Sequence, residues 1–152
     1  MTRRGLLGWS IPASYGGGGA RYSDILPAVE AFVAKGGRPG LALSWMVHLI
    51  DGKVLNSRSA NRLQKQEILP AMAAGRWTAS IALSEPGAGS DLKRIRTTAV
   101  KKRDHYVLNG AKCFITNASY ADLYTIFATL DGVVVYATLP NGQKKVSVVP
   151  QG

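Results

Sequence analysis

One cysteine, two histidines and nine carboxylates in 152 residues exclude several chemistries before any motif is read. Cys113 stands alone, so the chain holds no disulfide framework and no Cys/His set of zinc-ligand spacing. A reducing, cytoplasmic setting fits that pattern. No apolar run approaches membrane-spanning length, and Leu6-Leu7 behind Arg3 and Arg4 is too short for the apolar stretch of a signal peptide. A soluble protein is expected.

The scarcity of acid matters as much. Nineteen Lys and Arg against nine Asp and Glu give a net charge of +10 and a pI near 10.1. Such a balance suits nucleic acid, a phosphate-bearing small molecule such as a nucleotide or coenzyme A, or a merely solvated basic surface. The basic residues are scattered: Arg58, Arg62 and Lys65, then Lys93, Arg94 and Arg96, then Lys101 to Arg103, then Lys144 and Lys145. Scatter, with no aromatics interleaved among them, argues against a nucleic-acid surface. At 46% hydrophobic and 18% charged the composition is globular, enough for one average domain or pieces of two.

Against these absences, the stretch Ile81-Ala82-Leu83-Ser84-Glu85-Pro86-Gly87-Ala88-Gly89-Ser90-Asp91 stands out, because an apolar run ends there in hydroxyls, acids and small residues. Pro86 cannot continue a sheet ladder, and Gly87 and Gly89 carry no Cβ to hold another molecule off the backbone. Gly89 is followed by Ser90 and Asp91 rather than Lys-Ser/Thr, which excludes a P-loop. Leu92 stands where a dinucleotide fingerprint starting at Gly87 wants glycine, which excludes that motif too.

Before this stretch the sequence has helical grammar. Trp9 to Gly19 is a loop, with Pro12 and four consecutive glycines. A first helix is predicted from Ser23, as N-cap, to Lys35, with Ile25, Val29, Phe32 and Val33 on one face and Gly36-Gly37 ending it. A second runs from Leu41 to Leu55, apolar nearly all round as a buried helix should be, and encloses His48 as a core residue. A third spans Asn61 to Ala74, stopped or kinked around Pro70 and closed by Gly75.

From Arg76 the pattern turns to short β runs, which puts a domain boundary near Gly75 and divides the chain into 1–75 and 76–152. About seven strands are predicted: Trp77–Leu83, Thr97–Lys102, His105–Leu108, Ala111–Thr116, Leu123–Ala128, Gly132–Leu139 and Val146–Val149. Arg103-Asp104 and Asn109-Gly110 are the hairpin turns. On the fourth of these strands Phe114 and Thr116 are two apart and share a face. That pair suits a plain core with a polar edge, or a surface that stacks on and hydrogen-bonds to a flat heteroaromatic ring.

Taken together, Ala82 to Asp91, Tyr106-Val107-Leu108-Asn109-Gly110 through Thr116-Asn117, and Ala121-Asp122-Leu123 resemble the two signatures of the acyl-CoA dehydrogenase flavoproteins. Ile11-Pro12 with Tyr15-Gly16-Gly17, and Gln64-Lys65-Gln66 through Leu69-Pro70 to Gly75-Arg76-Trp77, are similar to the family upstream. The resemblance implies an α+β fold: part of an N-terminal helical domain, then an incomplete antiparallel, barrel-like middle β domain. It implies FAD as cofactor. Leu83 and Ser84 would hold the pyrimidine end of the flavin through amides and the Ser84 hydroxyl. Phe114 would pack on the isoalloxazine, Ile115 would contact it, Thr116 would hydrogen-bond near N5, and Ser90 would touch the thioester substrate or its pantetheine arm.

The implied reaction is α,β-dehydrogenation of an acyl-CoA, in fatty acid metabolism, with a flavoprotein as electron acceptor and a homo-oligomeric full-length form. No membrane partner is implied. The catalytic base belongs to a C-terminal bundle not seen in this sequence, and Glu85 matches a different glutamate of the pattern. A truncated chain, inactive alone, is therefore expected. An oxidase or monooxygenase of the same fold and a basic nucleic-acid-binding module are the alternatives.

Overall fold

The computed structural model describes residues 5–103, 105–129, 132–138 and 144–150. Three helices come first: α1 (Tyr22–Ala34), α2 (Pro39–Val54) and α3 (Arg62–Ala73). Six strands follow among the described residues: β1 (Ala79–Ala82), β2 (Thr98–Lys101), β3 (Tyr106–Asn109), β4 (Leu123–Phe127), β5 (Gly132–Thr138) and β6 (Lys144–Pro150). Arg3, Arg4, Asp104 and Leu139 of the sequence reading lie outside the described residues.

The helix ends show where local chemistry decided. Asn61 caps α3: its side chain accepts from the Gln64 amide at 3.0 Å, while Gln64 accepts from the Asn61 amide at 2.8 Å. Pro70 does not stop this helix, which continues to Ala73 before Gly75 turns it at φ 69°. Proline costs an internal bond, but Ile68, Leu69 and Met72 are buried around it, so packing outweighs that loss. At α1 the predicted Ser23 cap is corrected to Arg21, because Asp24 reaches back to accept the Arg21 amide at 2.7 Å. Only Ile25 of its predicted face is fully buried, and Val33 is exposed.

Helix α2 is the central element. Trp45, His48, Leu49, Asp51 and Gly52 are buried, and the helix packs on β1. The glycine-rich loop folds over its other side: Ser10 donates to the Leu49 carbonyl at 2.7 Å, and a Cβ at Gly17 would lie 2.1 Å from the Ile11 carbonyl oxygen. Glycine is therefore required at 17 by close approach. Ile11, Leu55, Leu69, Met72, Ala79 and Leu123 form one apolar cluster, and Ala20, Ile25, Trp45 and Leu49 a second.

The sheets depart from the uniformly antiparallel barrel predicted. The larger sheet has the order β1-β4-β5-β6, and β1 pairs parallel with β4, Ala79 opposite Leu123. Strands β2 and β3 form a separate antiparallel hairpin, and no barrel closes among the described residues. A parallel pair needs a crossover, since two strands pointing the same way cannot share a tight turn. Here the crossover is residues 83–122, and every predicted site residue lies in it. The Asp122 carboxylate accepts the Thr78 amide at 2.8 Å and the Thr78 carbonyl accepts the Asp122 and Leu123 amides, which fixes where the crossover rejoins the sheet.

Residues 111–117 are not a strand, contrary to the sequence reading. Phe114 and Asn117 both have left-handed backbones, with φ 54° and 72°. Gly110 has φ 155°, and a Cβ there would lie 2.4 Å from Thr97 Oγ1, so the chain leaves β3 in a direction only glycine allows. The segment then runs beside β1, held by isolated hydrogen bonds instead of a ladder.

Candidate functional site

Strand β1 ends at Ala82, and its continuation Leu83-Ser84-Glu85 is fastened at each residue in a different way. The Leu83 carbonyl accepts from Lys112 Nζ at 3.0 Å, and the Ser84 carbonyl accepts the Cys113 amide at 3.0 Å. Glu85 is 8% exposed and lies 2.8 Å from Lys112 Nζ. Its carboxylate also accepts the Thr97 amide at 2.9 Å, the Thr97 hydroxyl at 2.5 Å and the Arg96 amide at 2.8 Å. Lys112, then the Thr97 hydroxyl and the Arg96 amide, pull the carboxyl down to about 2. A carboxylate so held is a weak base at neutral pH, its oxygens already occupied by donors of the chain.

Beyond it the chain turns sharply, Glu85 and Ala88 exchanging backbone hydrogen bonds. Gly87 and Gly89 are unlike Gly17 and Gly110. A Cβ at either would meet nothing within 4 Å, and neither has a positive φ. Nothing inside the chain demands glycine there, so the room they leave faces outward.

The predicted pair of stretches does come together. Besides the Cys113–Ser84 bond, the Ser80 hydroxyl donates to the Thr116 carbonyl at 2.5 Å. Backbone carbonyls are thus consumed in holding residues 113–116 against β1. Among the described residues no hydrogen bond engages the Ser84 or Thr116 hydroxyl. Both residues are half-buried, as are Leu83 and Ile115. Phe114 is 94% exposed, with its ring presented by a backbone conformation that bulky residues rarely adopt. Phe114 and Thr116 therefore meet the site through a loop and not, as predicted, through one face of a strand. Ser90 is exposed beyond the turn, and no hydrogen bond among the described residues ties it to Ser84 or Thr116.

These residues fit a flat heteroaromatic cofactor: two unengaged hydroxyls, an exposed aromatic ring and a turn with open space at Gly87 and Gly89. Sequence reading missed Lys112 and Thr97, which hold the turn. The available signal was the charge pair Glu85 and Lys112, one in each motif. His48, expected as a core residue, is 1% exposed, and its Nδ1 accepts the Ala79 amide at 3.1 Å. Burial lowers its pKa, with the Leu7 and Met72 backbone pulling the other way. Among the described residues no cluster of three or more His, Cys, Asp or Glu could hold a metal, and no helix is long and apolar enough to cross a membrane.

Comparison with known proteins covers the chain in two pieces. The family model "Acyl-CoA dehydrogenase, N-terminal domain" matches residues 1–76, and "Acyl-CoA dehydrogenase, middle domain" matches residues 80–151. Isovaleryl-CoA dehydrogenase of Bos taurus mitochondria is 36% identical over 134 residues, which is 88% of this chain and 31% of that protein. An acyl-CoA dehydrogenase crystal structure from Geobacillus kaustophilus superposes with a TM-score of 0.76 at 33% identity, over 90% of this chain and 38% of its own. The FAD complex of PigA superposes with a TM-score of 0.77 at 28% identity, over 99% of this chain and 37% of its own. The chain thus spans about a third of the length of the proteins it matches. With both halves of the sequence matched in order and the superposition carried through both, this chain belongs to the acyl-CoA dehydrogenase family of flavin-dependent oxidoreductases.

Proposed function

We propose that this chain forms the flavin-facing wall of an FAD-dependent dehydrogenase that oxidises the α,β bond of an acyl-CoA thioester. Residues 1–75 act as its helical part and 76–152 as its cofactor-bearing β part. The observation that carries this reading is that residues 113–116, with the exposed Phe114 ring and the Thr116 hydroxyl, are fastened to Ser80 and Ser84, the Ser84 and Thr116 hydroxyls both being unengaged among the described residues.

When bound, FAD supplies the hydride-accepting ring. The rest falls to the chain's own residues. Leu83 and Ser84 present an amide and a hydroxyl to the polar edge of the ring. Phe114 and Ile115 cover it with apolar surface and exclude water, and the Thr116 hydroxyl donates to a ring nitrogen. Ser90, on the open side of the turn, is assigned to the thioester arm. Glu85 and Lys112 keep the turn rigid and neutralise each other, so neither carries charge into the site. The proton acceptor is not assigned to any residue described here. Outside the site, we assign a flavoprotein as electron acceptor, a cytoplasmic setting and self-association of the full-length enzyme.

Titration of the ¹⁵N-labelled chain with FAD tests this directly. The Leu83, Ser84 and Phe114–Thr116 amides are expected to shift together, and Ser84→Ala or Thr116→Ala to weaken binding by about tenfold. Absence of any shift at these amides at millimolar FAD would falsify the proposal.

A further inference from the structure

Asn117 has no role in the flavin reading, yet its side chain makes three hydrogen bonds to three different parts of the chain beside the site. It is 6% exposed and sits at φ 72°, in the left-handed region that Asn tolerates better than most residues. Its amide donates to the Ser44 carbonyl of α2 at 3.3 Å and to the Ala79 carbonyl of β1 at 3.1 Å. Its side-chain carbonyl accepts the Tyr120 hydroxyl at 2.6 Å, and the Tyr120 and Ser44 hydroxyls lie 2.9 Å apart. One buried amide therefore joins the helix, the strand and the loop.

The loop needs such a joint. Among the described residues, 113–116 have no ladder: the Cys113 amide on the Ser84 carbonyl and the Ser80 hydroxyl on the Thr116 carbonyl tie them to the strand side, and the Ala118 amide on the Ile115 carbonyl is a bond within the loop. Phe114 adds a left-handed backbone with its ring in solvent, a conformation that persists only where its surroundings impose it. Both constraints come from the β1 side. Asn117 is the residue that also ties the loop to α2, at the position next to Thr116.

We propose that Asn117 is the positioning residue that holds the 113–117 loop, and with it the Phe114 ring and the Thr116 hydroxyl, in the conformation that faces the ligand. The identity of that ligand rests on the flavin reading, whereas the holding of the loop stands without it. Asn117 acts through Thr116 and Phe114 and touches no reacting atom.

The test is amide hydrogen exchange on the full chain, wild type against Asn117→Gly, which keeps the left-handed backbone accessible and removes the side-chain amide. The Cys113 and Ala118 amides, bonded to Ser84 and Ile115, are the local reporters, and the β1–β4 ladder is the internal reference. Local exchange is expected to accelerate by about tenfold beyond any change in the ladder, and FAD binding to weaken by a similar factor. Uniform acceleration, or none, overturns the proposal, because a merely structural residue would move both regions alike. Tyr120→Phe removes the hydroxyl that bonds both Asn117 and Ser44, and decides the same question should Asn117→Gly fail to fold. Local acceleration there supports the joint, and uniform or absent change overturns it. A wild-type chain whose amides ignore FAD, together with a loop freed in Asn117→Gly, rejects the flavin reading and leaves the joint standing.

Discussion

The turn after β1 and the inner face of α2 each bury a carboxyl group, Glu85 at 8% exposure and Asp51 at 0%. Glu85 accepts from a lysine, a hydroxyl and two amides, and is pulled down to about 2. Among the described residues neither Asp51 oxygen has a hydrogen-bond partner. Burial pushes that group up to about 7, and the Thr125 hydroxyl, which faces it without forming a hydrogen bond of normal geometry, pulls the other way. Burial alone therefore does not set the charge of a carboxyl group; the donors supplied with it do. The turn that carries Ser84 is pinned by an ion pair, whereas the carboxyl group that α2 buries is pushed up to about 7.

Raising the pH separates the two most strongly. Between pH 3.8 and about 7 the folded chain keeps a proton on Asp51 that the unfolded chain releases. Its contribution is complete below 3.8 and falls as pH rises through about 7, by up to about 4 kcal/mol. Glu85 runs the other way, contributing above 4.5 and losing that contribution as pH falls through about 2. Urea denaturation across this range should show both limbs, and Asp51→Asn should remove only the loss between 3.8 and about 7. A loss over that interval that survives Asp51→Asn would break the comparison.

Removing the cation comes next in size. Lys112→Met strands the Glu85 charge in its buried turn and should lower Tm by on the order of 10 °C at pH 7. The acid limb should also move up toward 4.5, because the largest cause of the Glu85 depression is gone. A thermal melt unchanged from wild type would mean that the Thr97 and Arg96 donors suffice.

The smallest and sharpest contrast is one substitution made twice. Thr97→Val deletes a hydroxyl that Glu85 uses, and should lower Tm by about 5 °C. Thr125→Val deletes a buried hydroxyl with no hydrogen-bond partner among the described residues, and should change stability by less than about 1 kcal/mol. Equal losses in the two melts would show that the two surroundings do not differ as described.

How far the site could be read from sequence depended on the range of the interaction involved. The Asn61 cap, the Gly75 stop and the β2–β3 hairpin are local, and each residue type states its own conformation. The 111–117 segment was misread because its alternating residues look like a strand. Among the described residues it has no ladder partner: β4 takes one edge of β1, and side chains and single amides meet the other. Parallel pairing of β1 with β4 was equally hidden, since the hairpin signal at Asn109-Gly110 suggested a tight return. Lys112 and Asn117 carry long-range bonds to Glu85 and Ser44 that no window of sequence displays.

Sequence by itself determined the family, the order of helices before strands and the two stretches that bear the hydroxyls, because motif spacing and turn residues are properties of neighbouring positions. Tertiary structure decided that the second stretch lies along β1 and its continuation, fastened at Ser80 and Ser84. It also decided that Glu85 is held as an anion while Asp51 is not, and that Phe114 projects from a left-handed loop. Those outcomes depend on which donors arrive from 11 to 73 residues away, and only the folded chain brings them there.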